Sequence, residues 1–141
     1  MADAASLSRF VDAQRGVYDS ALAELRAGRK TSHWMWFVFP QIAGLGRSAM
    51  AQTYAIESLD EARAYLAHPV LGPRLVECAT VLLGLDGGDA EAVFGGIDAI
   101  KLRSSMTLFA HAAPDEPVFR AVLDQYFAGA EDPATLERLE R

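Results

Sequence analysis

The chain is 141 residues long, 51% hydrophobic and 23% charged, with 13 bases against 19 acids and a net charge of −6. That length and balance fit one globular domain and exclude a disordered chain, a collagen or a coiled coil. The single cysteine, Cys78, excludes a disulfide scaffold, and no apolar run approaches the ~20 residues of a membrane span.

Taken in chain order, the expected elements are helices. Residues 1–6 read as a loose N-terminal tail, with Ser6 able to cap the first helix. Leu7, Phe10, Val11, Val17, Tyr18, Leu22 and Leu25 recur at helical spacing and predict one helix from Leu7 to Ala27, ended by Gly28. Residues 32–47 hold an aromatic run that stops at Pro40. They read as a buried short helix or extended segment, then a loop with Gly44 and Gly46. Ser48 caps a short helix to about Tyr54. Ser58 and Glu61 form a capping box, in which hydroxyl and carboxylate satisfy reciprocal backbone donors, opening a helix through Leu66. After the break at His68-Pro69, a helix over Val70–Leu83 turns Leu71, Leu75, Cys78, Ala79, Leu82 and Leu83 inward.

Asp89 then caps a short helix ending at Phe94, and Asp98 caps one through about His111. Asp115 with Pro117 starts a helix whose inward stripe is Val118, Phe119, Val122, Leu123, Tyr126 and Phe127, closed by Gly129. Asp132-Pro133, a cap with a first-turn proline, opens the last helix. Such punctuation, with almost no period-two alternation, predicts a single all-α domain over 1–141. About seven or eight short, unequal helices imply irregular orthogonal packing rather than an up-down bundle.

Charge is uneven. Residues 1–47 hold six bases and four acids, whereas 48–112 and 113–141 each carry a net charge of −4. The acidic total argues against a nucleic-acid partner, which needs a basic stripe. Residues Met1 to Ser8 show neither a basic nor an apolar targeting segment, so a cytoplasmic location is expected, with no membrane partner.

Three constellations point to chemistry. Gly44-Leu-Gly46-Arg47-Ser48 ahead of a helix resembles an anion cradle: glycines let backbone amides approach, Arg47 adds charge and Ser48 a hydroxyl. It lacks the Lys-Ser/Thr ending of a Walker motif and the strand–helix–strand setting of a dinucleotide fingerprint. Asp98, Lys101, Ser104 and Ser105 fall at spacings of three and four along one helix, where a charged group on a partly buried face demands a partner or ligand. His33-Trp34-Met-Trp36-Phe37-Val-Phe39-Pro40-Gln41 offers aromatic faces for stacking, an amide for edge contacts and a histidine that titrates near neutrality. The plainer readings are a capped glycine loop, an Asp98–Lys101 pair within the helix, and an aromatic core. Arg74 reads as a surface residue. His33, His68 and His111 lack metal-ligand spacing, so no metal or cofactor is called for. Cys78, on an apolar helix face, reads as a buried inert thiol.

These same segments carry a resemblance. His33–Gln41, Gly44–Ser48, Glu61-Ala-Arg-Ala-Tyr65-Leu, His68–Leu75 and Asp98–Phe109 are similar to the bacterial family catalogued as domain of unknown function 1810, over roughly residues 7 to 140. The resemblance implies a mainly helical single domain and no assigned activity, so it transfers no catalytic residue. The label "calpastatin" that often accompanies the family is discounted, because calpastatin segments are disordered and this composition is not.

The expectation is a small-molecule-binding helical domain, its standing as an enzyme left open. Arg47, Ser48 and Lys101 would meet a phosphate-like anion, Trp34 or Trp36 would stack on a flat group of nucleotide or ADP-ribose type, and Gln41 would read its edge. Gly44, Gly46, Ser104 and Ser105 complete the candidate binding set, and His33 or Asp98 is the acid–base candidate. The alternative is a non-enzymatic interaction module or homodimer. The two differ in geometry: the first needs Lys101, Arg47 and Gln41 on one cleft, whereas the second lets them point apart.

Overall fold

A computed structural model describes residues 4–140, which form ten helices. They are α1 (Ala4–Gln14), α2 (Tyr18–Arg26), α3 (Met35–Val38), α4 (Ala49–Thr53), α5 (Leu59–Ala67), α6 (Leu71–Leu83), α7 (Ala90–Phe94), α8 (Gly96–Ala112), α9 (Pro117–Phe127) and α10 (Pro133–Leu139). No single helix among the described residues is long and apolar enough to cross a membrane. Of the expected tail, residues 1–3 lie outside the described residues, and Ala4 to Ser6 open α1, so Ser6 is inside that helix rather than its cap.

The helix expected over Leu7–Ala27 is two helices. Gly16 takes φ +77°, a left-handed turn that an α-helix cannot contain and that costs glycine no side-chain clash. The break is anchored by Gln14, which is 1% exposed. Its amide donates to the Phe37 carbonyl at 2.7 Å and the Tyr65 hydroxyl at 3.1 Å, while its oxygen accepts from Arg74 at 3.2 Å. Arg74 also lies 4.7 Å from the Tyr18 ring centre, which makes it part of the scaffold rather than a bare surface cation.

The expected caps are largely in place, because each is a local hydrogen bond written in the sequence. Ser48, Ser58, Asp89 and Asp132 each accept from the backbone N–H three residues on. Three differ. Glu61 reaches back to the amide of Glu57 rather than Ser58. Glu116, not Asp115, caps α9. Gly95 at φ +81° precedes α8, so Asp98 lies in the first turn instead of at the cap.

α8 is the central helix. From Ser104 to Ala110 every residue is buried, as suits a helix enclosed on all sides, and α5, α7, α9 and α10 pack around it. A run of rings crosses the core. Phe10 meets Tyr65 edge-on at 5.1 Å, Tyr65 meets Phe109 at 5.4 Å and Phe109 meets Phe119 at 5.8 Å, a geometry in which ring edges face ring faces or tilt onto them. Outside the helices, a parallel bridge joins Ile42 to Ile56. It supplies the aromatic segment with the pairing partner that its sequence does not reveal.

Candidate functional site

Where the end of the aromatic segment, the glycine loop, α4, α8 and the start of α10 meet, they leave a cleft of about 500 Å³. Trp36, Gln41, Leu45, Gly46, Arg47, Ser48 and Ala51 form one side. Ile97, Ile100, Lys101 and Ser104 of α8 face them, and Asp132 and Ala134 close the end. Such a volume lies in the range of small-molecule sites, roughly 300–1,000 Å³.

The loop side is held by local bonds. The Ile56 amide donates to the Gln41 carbonyl and the Ala43 amide donates to the Ile56 carbonyl, both at 2.8 Å. This fixes the backbone of Gln41 and leaves its side-chain amide on the cleft. Gly44 takes φ +96°, and the Arg138 guanidinium occupies the space a Cβ would need while donating to the Gly44 carbonyl at 3.2 Å. Further on, the Ser48 hydroxyl caps α4 through the Ala51 amide at 3.1 Å, and the Gln52 side chain donates to the Arg47 carbonyl at 2.9 Å. The backbone of Arg47 is thus pinned while its side chain stays exposed. The helix after it has only five residues, so the positive character here rests on Arg47 more than on a helix dipole.

On the facing side, Lys101 Nζ sits 4.5 Å from the ring centre of Trp36, a favourable cation–aromatic contact. It is also 3.4 Å from Asp98 Oδ1, but Asp98 Oδ2 is closer, at 2.7 Å, to Lys30 Nζ. One carboxylate is therefore shared by two ammonium groups, and the trio retains positive charge. Lower in the cleft, Asp132 is 9% exposed and accepts on Oδ2 from the Ser104 hydroxyl at 2.9 Å.

Apolar surface completes the site. Ile97 and Ile100 are 74% and 64% exposed, and Met50, beside Ala51 on α4, is 38% exposed. These are the exposed large hydrophobic residues among those described, and two of them, Ile97 and Ile100, line the cleft.

The structure brings together Trp36, Gln41, Gly46, Arg47, Ser48, Lys101 and Ser104, and separates the other candidates from the cleft lining. Trp34 is fully buried, its indole N–H donating to Glu24 at 3.0 Å and its ring set against Phe39 and Phe94. It is core because the short α3 turns residues two apart in different directions. His33 is exposed and outside the cleft. Gly44 turns its carbonyl to Arg138. Ser105 is buried, its hydroxyl unpartnered within the described residues, and points away because it is one position on from Ser104. Asp98 is occupied by two lysines. Neither acid–base candidate therefore stands in the cleft. Of the remaining histidines, His68 accepts from the Val70 and Leu71 amides at the start of α6, and His111 pairs with Glu131 at 2.7 Å. Cys78 is buried, and burial pushes its thiol up to about 12, with a Tyr18 hydrogen bond opposing.

Sequence reasoning missed Asp132 as a cleft residue, reading it as a cap alone. The available signal was Thr135 three residues on, a second local donor that frees one carboxylate oxygen for other work.

The family described as "Protein of unknown function (DUF1810)" matches residues 4–139. The chain belongs to this family. Among solved structures it is similar to the conserved hypothetical protein Rv1873 from Mycobacterium tuberculosis, at 52% identity over 99% of each chain and a TM-score of 0.96. A search of curated proteins finds no match. The fold of this DUF1810 member is thus shared with a crystallographically determined bacterial relative, and its function has to be argued from the cleft.

Proposed function

We propose that the chain is a small-molecule-binding domain whose cleft takes a ligand with an anionic group, phosphate-like in character. The observation that carries this reading is convergence: Gln41 and Arg47 of one loop and Lys101, more than fifty residues on, line one cleft with Trp36 and Ser48. A core does not need this arrangement. Buried or half-buried polar groups are normally consumed by one another, whereas here the half-buried Gln41 amide makes no side-chain bond to the described residues, and the exposed Arg47 side chain stands beside it on the cleft. The electrostatics suit an anion, because Arg47 adds to the positive charge left by the Lys30–Asp98–Lys101 trio. Binding, rather than a particular reaction, is what these groups support.

The test is a thermal-shift titration with inorganic pyrophosphate, AMP and NAD on the wild type beside Arg47→Ala and Lys101→Ala. A ligand at a hundredfold its dissociation constant adds about 2.7 kcal/mol of stability. The expected result is a shift in the wild type that is diminished in both variants while their ligand-free melting stays close to it. Equal shifts in all three proteins, or none in any, would overturn the reading.

One observation favours a second reading, an interaction surface. Ile97 and Ile100 are more exposed than large aliphatic side chains need to be, and apolar patches of this kind also mark protein contacts. Sedimentation of the wild type beside Ile97→Ser separates the two, since a dimer across this face dissociates in the variant.

A further inference from the structure

We infer that the ligand of the cleft is a nucleoside phosphate whose base bears an exocyclic amino group, and that Asp132 reads that group. This rests on the anion-binding reading above and deepens it. Asp132 lies in the cleft wall and is about nine-tenths buried. Its side-chain hydrogen bonds all end on one oxygen. Oδ2 accepts from the Ser104 hydroxyl at 2.9 Å, the Thr135 amide at 3.1 Å and the Thr135 hydroxyl at 2.6 Å. Oδ1 accepts from none of the described residues.

Oδ1 is therefore the side-chain atom of Asp132 still able to take an N–H or O–H donor from a ligand in the cleft. The backbone fixes it firmly, because the Asp132 amide donates to the Thr107 hydroxyl at 2.9 Å. The same negative charge disfavours a bare inorganic anion beside it. So the cleft suits a ligand with an anionic group for Arg47 and Lys101 and a hydrogen-bond donor for Asp132. The same cleft is lined by Trp36, Leu45, Ile97 and Ile100, which suit an apolar, flat body. An amino-bearing nucleoside phosphate combines all three in a molecule of suitable size for about 500 Å³.

The experiment is calorimetric titration with AMP and with purine riboside 5′-monophosphate, which differ only by the amino group, alongside pyrophosphate as the anion-only probe. The wild type is expected to bind AMP about tenfold or more tightly than its des-amino analogue, since hydrogen bonds to charged groups carry that order of discrimination. In Asp132→Asn, the donors on Oδ2 require the amide oxygen at that place, which turns the NH₂ toward the cleft. The preference should vanish there, with pyrophosphate binding kept or strengthened. Should that variant fail to fold by circular dichroism, Gln41→Ala decides. A preference that survives the loss of Gln41 supports Asp132, and one that disappears overturns its role. Equal binding of the two nucleotides by the wild type overturns the inference and leaves the anion reading standing. Failure of all three probes to bind overturns the anion reading itself.

Discussion

Glu24 and Asp132 are two carboxylates that organise neighbouring backbone, and they differ in how completely they are used. Glu24 spends both oxygens. Oε1 accepts from the Thr31 and Ser32 amides at 2.7 and 3.0 Å and from the Trp34 indole at 3.0 Å, and Oε2 accepts from the Ser32 hydroxyl at 2.5 Å. Burial works against its charge, but these four bonds outweigh it and hold the carboxyl at about 2. Asp132 takes three donors on Oδ2, and Oδ1 accepts from none of the described residues. The lesson is that polarity and burial do not by themselves mark a site. The closed corner around Glu24 and Trp34 is scaffold because its polar groups consume one another. The cleft around Asp132 and Trp36 is a candidate site because they do not.

The harshest test of that distinction is the tryptophan pair. Trp34→Ala removes a fully buried ring and strands its place against Phe39 and Phe94, for a loss of about 3–5 kcal/mol in urea denaturation. Trp36→Ala, at a half-buried ring on the cleft, should lose far less stability and instead weaken AMP binding. Equal stability losses would erase the boundary between corner and cleft.

How much of this was legible in the sequence depends on how local the cause is. Caps at Ser48, Ser58, Asp89 and Asp132 were readable because donor and acceptor lie three residues apart. The approach of the 41–48 loop to Lys101 and Ser104 was foreshadowed by the crowding of polar groups beside aromatics. The difference between Trp34 and Trp36 was not, since it is set by Glu24 on one side and Lys101 on the other. The Ile42–Ile56 bridge and the break at Gly16 escaped for the same reason. A pairing partner fourteen positions away and a glutamine drawn into the core by Phe37, Tyr65 and Arg74 leave no periodic trace.

A milder test probes the corner through pH. The folded carboxyl of Glu24 sits at about 2, below its ordinary value of 4.5. Its contribution is therefore fully present above about pH 4.5 and is lost as the pH falls toward about 2. Glu24→Gln should cost about 1–3 kcal/mol near neutrality. The gap between the two proteins should narrow progressively below pH 4.5, as read from urea midpoints at a series of pH values. Glu131, lowered chiefly by its hydrogen bond to His111 with burial opposing, weakens both proteins in the same direction and cancels from the difference. A gap independent of pH would show that the charge of Glu24 does not hold the corner together.

The smallest expected effect on stability, and the sharpest on function, falls at Ile97. At 74% exposure its side chain contributes little to the core, so Ile97→Ser should shift the unfolding free energy by no more than about 0.5 kcal/mol. If the apolar wall contacts a flat ligand, the same change removes buried hydrocarbon from the complex and lowers AMP affinity several-fold. Pyrophosphate, which has no apolar body, should bind the variant as it binds the wild type. That split between two ligands in one folded protein is something a scaffold residue cannot produce. A loss of stability above about 1 kcal/mol would instead make Ile97 a packing residue and move the boundary of the cleft inward to Lys101 and Asp132.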